Sequence, residues 1–470
     1  MNAKIPLLAA GISLFLAGCS MAPSYTRPQP PVPADWPQGP AYRDAGPAPA
    51  AKPVTALGWR EFFTDPDLQT VIGMALEHNR DLRLAALNVE RARGLYGIRR
   101  ADLFPILEAV ASGGKQHVPS TTSGDTGKSV TTEQYDVSLG VTSWEIDFFG
   151  RIRSLKDQAL EEYLATEQGR RSVQILIVSD VANAYLLLAA DRENLRLSES
   201  TLEAQRSAYD LVRRRFELGL ASELDVYLAQ ISVDTARVAV ARYTQRAAQD
   251  ENALDLLAGT PVPRRLLPVD LDSVRPPAEI SAGMSSEVLL GRPDILAAEH
   301  LLKGANANIG AARAAFFPRI SLTAAFGTAS PELSGLFGSG SSAWTFSPEA
   351  VLPIFDARIW PALSVSEVDR EIAVARYERS IQNAFREVAD ALAVRGTVNQ
   401  QIAARKSLVD ASAQSYRLST IRYEKGIDDY LGVLDAQRSL YAAQQVLILV
   451  RLEGVANQVR LYATLGGGGE

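Results

Sequence analysis

Few residues in this chain have the types and spacing to do bond-making chemistry. The three histidines, His78, His117 and His300, stand far apart and read as ordinary surface or core residues, not as a ligand set. No Gly-rich loop of the Walker pattern is present to cradle a nucleotide phosphate. Carboxylates are plentiful, but on helices this rich in charge they are solvated faces. The sole cysteine, Cys19, has no second thiol in its own chain. One spacing stands out: Asp435 and Arg438 lie three residues apart, where side chains on a helix become neighbours, and Leu431 sits one turn earlier. Such a set makes an ion pair beside an apolar contact; it holds something in place and breaks no bond. No catalytic residues, metal ligands or cofactors are expected.

Those three residues belong to an element that occurs twice. Arg213–Gln230 reads RRRFELGLASELDVYLAQ and Thr420–Gln437 reads TIRYEKGIDDYLGVLDAQ. At a constant offset of 207, Phe216 falls on Tyr423, Gly219 on Gly426, Leu224 on Leu431 and Gln230 on Gln437. Each copy predicts a helix, a turn at one glycine and a second helix. The flanks, Arg151–Gly259 and Ala362 to the end, contain no proline. Gly219 and Gly426 are therefore expected at the tips of two long helical hairpins. Arms of roughly 50 residues would each reach about 75 Å at 1.5 Å per residue. Asp225, Leu431, Asp435 and Arg438 sit close to these tips, where a tunnel would narrow; the alternative for each is a solvated or coiled-coil position.

The rest of the chain supplies what the hairpins must be attached to. A net charge of −6 with no long basic block argues against a nucleic-acid partner. Beyond the first residues no run of about 20 apolar positions remains, so transmembrane helices are not expected. Lys4, the apolar run from Ile5 to Leu16, and Leu16-Ala17-Gly18-Cys19 have the layout of a bacterial secretory signal. This start resembles a lipoprotein signal, which implies cleavage before Cys19 and lipidation of that residue. Ser20 follows, where an Asp would favour inner-membrane retention, so the implied destination is the outer membrane.

Residues 1–18 are thus the signal, and 19–63 an extended Pro-rich segment, disordered or laid along a surface. Asp65-Pro66-Asp67 opens a helix, expected to continue to about Asp102 and to stop at Phe104-Pro105. Tyr135, Val137, Leu139 and Val141 then alternate with Asp136, Ser138, Gly140 and Thr142, the period of a two-faced strand. With a weaker strand at Ile106–Gly113 this forms a hairpin over 106–147, followed by the helical hairpin 151–259; together they complete a first repeat, 64–260. After a linker, 261–285, a second repeat covers 286–466. At an offset of 213, Asp81 matches Asp294, Phe104 matches Phe317 and Pro105 matches Pro318. An internal duplication follows, with strands over 319–355, helices over 362–465 and a flexible Gly tail at 467–470.

Four strands are too few for a barrel, since the small outer-membrane barrels have eight. An open sheet edge cannot sit in lipid, where its backbone groups find no water. Several chains must therefore close the barrel, and two, three or four copies all satisfy the count. Trp144, Trp344 and Phe346 are candidates for interfacial girdles; ordinary packing at the strand ends is the other reading.

Nearly the whole mature chain resembles an outer-membrane factor of the TolC type, in the lipoprotein branch that serves drug-exporting tripartite pumps. The carriers are the Leu-Ala-Gly-Cys start, the paired Phe-Pro junctions at Pro105 and Pro318, Trp144–Arg151, and the tip run from Tyr423 to Tyr441. The resemblance implies a mainly α fold with a membrane β-barrel: a homotrimer, twelve strands in the outer membrane and a twelve-helix periplasmic tunnel. It also implies a passive exit duct, with a periplasmic adaptor (membrane fusion protein) and an inner-membrane RND-type transporter as partners. Positions matching Leu431, Asp435 and Arg438 form the closed periplasmic mouth in such proteins, and those matching Tyr423 and Asp225 help hold it shut. Asp428 and Gly432 depart from relatives that carry an Arg and an Asp there. The alternatives are a non-conducting coiled-coil scaffold, for which two-faced strands have no use, and a duct for protein or metal ions. Metal export is disfavoured because three His and four Met form no tract.

Overall fold

The computed structural model describes residues 20–42, 54, 57–119, 129–280 and 285–469. The signal segment and Cys19 lie outside them. The helices are α1 (Trp59–Phe62), α2 (Pro66–His78), α3 (Arg80–Ala101), α4 (Arg151–Glu217), α5 (Glu223–Ala258), α6 (Pro293–Ala314), α7 (Ile359–Glu424) and α8 (Tyr430–Thr464). The strands are β1 (Leu107–Val118), β2 (Val130–Glu145), β3 (Arg319–Ser330) and β4 (Ser342–Val351). They divide between two compact units. One comprises Met1–Pro28, Val89–Thr166 and Ala298–Tyr377 as far as described; the other comprises Gln29–Asn88, Glu167–Ala297 and Glu378–Glu470.

In the first unit all strand neighbours pair antiparallel in the order β1-β2-β3-β4. The central β2–β3 pairing joins the two repeats, from Tyr135 opposite Ser330 to Glu145 opposite Ser321. A register shift between Val141 and Trp144 marks a bulge, with Ser143 at φ 53° and its amide donating to Thr323 Oγ1 (3.1 Å). The Phe-Pro junctions repeat as matching turns, Phe104 N–H to Ala101 O (2.9 Å) and Phe317 N–H to Ala314 O (3.1 Å). The N-terminal segment is laid along α6 and not left free. Arg27 holds the buried Glu299 with Nη2 (2.5 Å) and Nε (3.1 Å), and Asn306 donates to Pro23 O (2.7 Å). Gly310 is required here, because a Cβ would lie 2.7 Å from Ala22 N.

Four expectations need correction, three of them in the second unit. The helix from Asp65 is interrupted at Asn79. Its side chain caps α3 by accepting from Asp81 N (2.8 Å) and Leu82 N (3.0 Å), and it donates to Leu257 O (2.8 Å), so a partner distant in sequence decides the break. The hairpin arms are unequal, 67 and 36 residues in the first and 66 and 35 in the second, because each glycine stands nearly two-thirds of the way along its proline-free run. The Gly tail is not loose where described. Gly467 and Gly468 are buried, a Cβ on Gly467 would meet the Tyr462 ring at 2.2 Å, and Gln174 donates to Gly468 O (3.2 Å). Finally, α4 does contain a window long and apolar enough to cross a membrane, with mean hydropathy 1.7, but 56% of it is buried against the protein. Its apolarity serves packing: Val181, Ala182, Leu188 and Ala189 are fully enclosed. Elsewhere in this unit Phe62 stacks on Tyr462 at 3.9 Å, and Tyr462 donates its hydroxyl to Leu57 O (2.6 Å).

Candidate functional site

The sheet sorts its side chains by face. One face carries the rows Leu107–Val141–Ala324–Phe346 and Ala109–Leu139–Phe326–Trp344. Trp344, Phe346 and Phe326 are 76%, 63% and 66% exposed there, the display of apolar surface that lipid covers and water does not favour. Trp144 shares this face, opposite Leu322, but is half-buried. Towards the β1–β2 loop the apolar rows give way to the ion pair of Lys115 with Glu133.

The opposite face carries Glu108–Gly140–Ala325–Thr345, Val110–Ser138–Gly327–Ala343 and Ser112–Asp136–Ala329, mostly small or polar. At two glycines on this face the neighbouring strand comes close. A Cβ on Gly327 would lie 2.1 Å from Val137 O, and one on Gly140 would lie 2.5 Å from Ala324 O. On a closed outer-membrane barrel the polar face lines the interior.

The second unit holds both hairpin tips, and they are the same turn made twice. Gly219 (φ 72°) and Gly426 (φ 73°) take the left-handed conformation. Gly219 N–H donates to Phe216 O (2.8 Å) and Leu220 N–H to Arg215 O (2.7 Å); Gly426 N–H donates to Tyr423 O (2.9 Å) and Ile427 N–H to Arg422 O (2.9 Å). This is the paired bonding of a Schellman helix end, which favours glycine. The next helix is capped on each side. Ser222 and Asp225 form a reciprocal capping box on α5, and Asp429 Oδ1 accepts from Gly432 N (3.2 Å) on α8.

Leu431, Asp435 and Arg438 share one exposed stripe of α8, at the spacing i, i+4, i+7 that defines a helix face. Leu431 is 48% exposed, and Arg438 Nη1 lies 3.6 Å from Asp435 Oδ1. Tyr423 is placed differently. It is buried in a cluster with Val212, Ala229, Tyr430, Val433 and Leu434. Asp225 supports the cap of α5, accepting from Ser222 N (2.9 Å) and Ser222 Oγ (2.8 Å). Asp428, at a departing position, pairs with Arg422, whose Nη2 donates to Oδ1 at 2.8 Å.

Sequence reasoning missed Arg215, Tyr209, Tyr416 and Tyr430. The Arg215 guanidinium lies 4.7 Å from the centre of the Tyr423 ring, and Tyr209 and Tyr416 pack on the same cluster. The signal was present: the 207-residue offset also carries Tyr209 onto Tyr416 and Arg215 onto Arg422.

The family model described as outer membrane efflux protein matches residues 71–260 and 284–467. The chain belongs to this outer membrane efflux protein family. The toluene efflux pump outer membrane protein TtgC and the antibiotic efflux pump outer membrane protein ArpC, both of Pseudomonas putida, are each 50% identical over 465 residues, covering 98% of this chain and 95% of theirs. The open state of the MtrE outer membrane channel of Neisseria gonorrhoeae superposes with a TM-score of 0.84 at 37% identity, covering 96% of this chain and 98% of that one. This efflux protein is therefore an outer-membrane duct of mainly helical build, with a transport role.

One acidic pair in this efflux protein, the buried Asp191 and the half-buried Asp250, gives a pH prediction. Burial, reinforced by the neighbouring Asp191, pushes the Asp250 carboxyl up to about 6, with Arg246 opposing. Burial also raises Asp191, against the pull of Arg246 and Arg242. Asp250 Oδ2 is enclosed and accepts no hydrogen bond from the described residues. Its folded-state pKa lies above the unfolded value of about 4, so in the window between them the folded state holds more protons. The group's contribution to stability falls as pH rises from about 4 to 6. Asp250→Asn is expected to raise the thermal midpoint at pH 7.5, and the gain should shrink towards pH 5. An equal gain at both pH values would show that the charge is not involved.

Proposed function

We propose that three copies of this chain close a twelve-stranded barrel and act as the passive exit duct of a tripartite efflux pump, carrying drugs and other small toxic compounds out of the cell. The carrying observation is the sheet: four strands, each two-faced, with β1 and β4 left at its edges. Edges facing lipid are untenable, and twelve strands lie within the range of known outer-membrane barrels. Helix α3 agrees, since none of its residues is buried within the chain while Leu84, Leu87, Leu95 and Ile98 are exposed on it. A neighbouring copy would cover them. The helical hairpins belong to the periplasmic part, where an adaptor joins the duct to an inner-membrane RND-type transporter that supplies the energy. The names of TtgC and ArpC, with toluene and antibiotics in them, favour small, largely apolar cargo. No catalytic role is assigned to any residue.

Within this reading Leu431, Asp435 and Arg438 close the periplasmic mouth, and Tyr423 and Asp225 hold the tips in the closed arrangement. Native mass measurement of the detergent-extracted protein should give three copies. A folded, membrane-inserted monomer would sink the proposal.

Lipidation of Cys19 completes the anchor. The residues that follow it, Met21 and Pro23 among them, are held by Arg313 and Asn306 in the same unit as the sheet, which supports a lipid attached at the barrel end. A single acylated cysteine gives only part of a stable anchor. Cys19→Ser behind a cleavable signal should still reach the outer membrane and keep partial export, measured as drug susceptibility of a strain lacking the native gene. Complete loss of membrane association would show that the sheet forms no barrel.

A further inference from the structure

The loop that joins β3 to β4, residues 331–341, stands at the end of the sheet away from α6 and α7 and holds two large apolar side chains in the open. Leu333 is 66% exposed and Phe337 78%. Glu332 is the loop's sole ionisable group. We infer that this loop is a lipid anchor, leaning over the outward face of the barrel and placing Phe337 and Leu333 among the acyl chains of the outer leaflet. Its placement there rests on the apolar face of the sheet meeting lipid, as described above, and extends that face beyond the strands.

The loop has a fixed shape of its own. Gly335 N–H donates to Glu332 O (3.1 Å), Gly338 N–H to Gly335 O (2.9 Å) and Ser341 Oγ to Gly338 O (2.8 Å), while Ala329 N–H donates to Ser341 O (2.8 Å) and closes the neck. Gly340, at φ 87°, makes the left-handed turn back towards β4. Leu336 is only 6% exposed, so one of the three large apolar side chains is folded in and two are turned out. A display held this firmly loses little conformational freedom when it meets a partner. Ser330 gives the direction of the lean. Alternation puts it on the outward face with Phe326, which lies opposite Trp344. The loop comes down on that side, since a Cβ on Gly335 would lie 2.7 Å from Ser330 Oγ and Glu332 N–H donates to the same hydroxyl (3.2 Å). Thr328, the residue between Phe326 and Ser330 on this face, has its Oγ1 enclosed, whereas Phe326 stays exposed. The outward face is thus covered at the loop and open just below it. Leu333 and Phe337 continue the apolar surface of Phe326, Trp344 and Phe346, and lipid that covers those strands covers the loop as well. With no cation in the loop, acyl chains and not phosphate groups are what it fits.

The test puts one environment-sensitive dye on the loop. Phe337→Cys combined with Cys19→Ser leaves a single thiol in the chain. The intact protein, labelled there with nitrobenzoxadiazole, is reconstituted into phosphatidylcholine vesicles whose acyl chains carry bromine, with unbrominated vesicles as the reference. Loss of most of the emission to the brominated chains, with little loss to aqueous iodide, is expected. Leu333→Cys, labelled in the same way, should behave alike and guards against a fault peculiar to one variant. Emission lost to iodide instead would show the loop standing in water, and emission lost to neither would show it covered by a neighbouring copy; either result overturns the inference. Phe346→Cys, on the outward face of β4 itself, separates the two readings. If its dye is quenched by the brominated chains and the loop dyes are not, the loop anchor alone is wrong. If it also escapes them, the sheet does not meet lipid and the inference falls together with that reading.

Discussion

Replacing Leu431 and Asp435 together by alanine is expected to raise the single-channel conductance of the inserted protein severalfold. Leu431 stands 48% exposed on α8, so an apolar ring formed by its symmetry copies is the kind of constriction that impedes water and ions. Covering the exposed half of a leucine contributes about 1 kcal/mol, and three copies contribute together. The Asp435–Arg438 pair adds less. Its side chains are 66% and 61% exposed, and such pairs contribute only about 0–1 kcal/mol. The sum is small enough for an adaptor that binds the open form better to shift the population, and losing it moves the closed–open balance by more than about tenfold. High salt should reproduce part of the Asp435 effect by screening. Ala at Glu203, exposed on α4 well before the tip, should change nothing. Unchanged conductance in the double variant, with the oligomer and its insertion intact, would place the constriction elsewhere.

Gly327→Val is expected to abolish the assembled barrel. The added Cβ falls 2.1 Å from Val137 O and 2.6 Å from Ser138 Cα, both backbone atoms of β2 that cannot turn aside. Overpacking of this kind costs about 3 kcal/mol or more, and it acts on the one pairing that joins the two repeats. Gly114→Ala, on the same face of β1 with nothing within 4 Å of the new atom, should leave assembly intact. The measurement is the amount of folded oligomer in outer-membrane fractions. Wild-type levels of the Gly327 variant would show that the β2–β3 contact is looser than its geometry implies.

Features set by near neighbours in the chain were determined by the sequence itself. The tip glycines at 219 and 426 follow from the left-handed end that a Schellman turn demands, and their identical bonding was already implied by the 207-residue offset. The Phe-Pro junctions and the alternation in β2 and β3 are local in the same sense, because proline stops a helix at the residue before it and a strand displays its faces two residues apart. The stripe of Leu431, Asp435 and Arg438 needed only a helical period. Tertiary structure decided whatever depends on a partner far along the chain. Asn79 breaks a helix that periodicity would continue because Leu257 O accepts from its side chain. Tyr423 faces inward because Arg215 and Tyr430 meet it there, and its spacing from Gly426 holds no record of that. Alternation gives two faces but not where the strands come close enough to exclude a side chain. That shows at Gly140 and Gly327, whose approach to the neighbouring strands is a relation between repeats some 190 residues apart that no local pattern encodes.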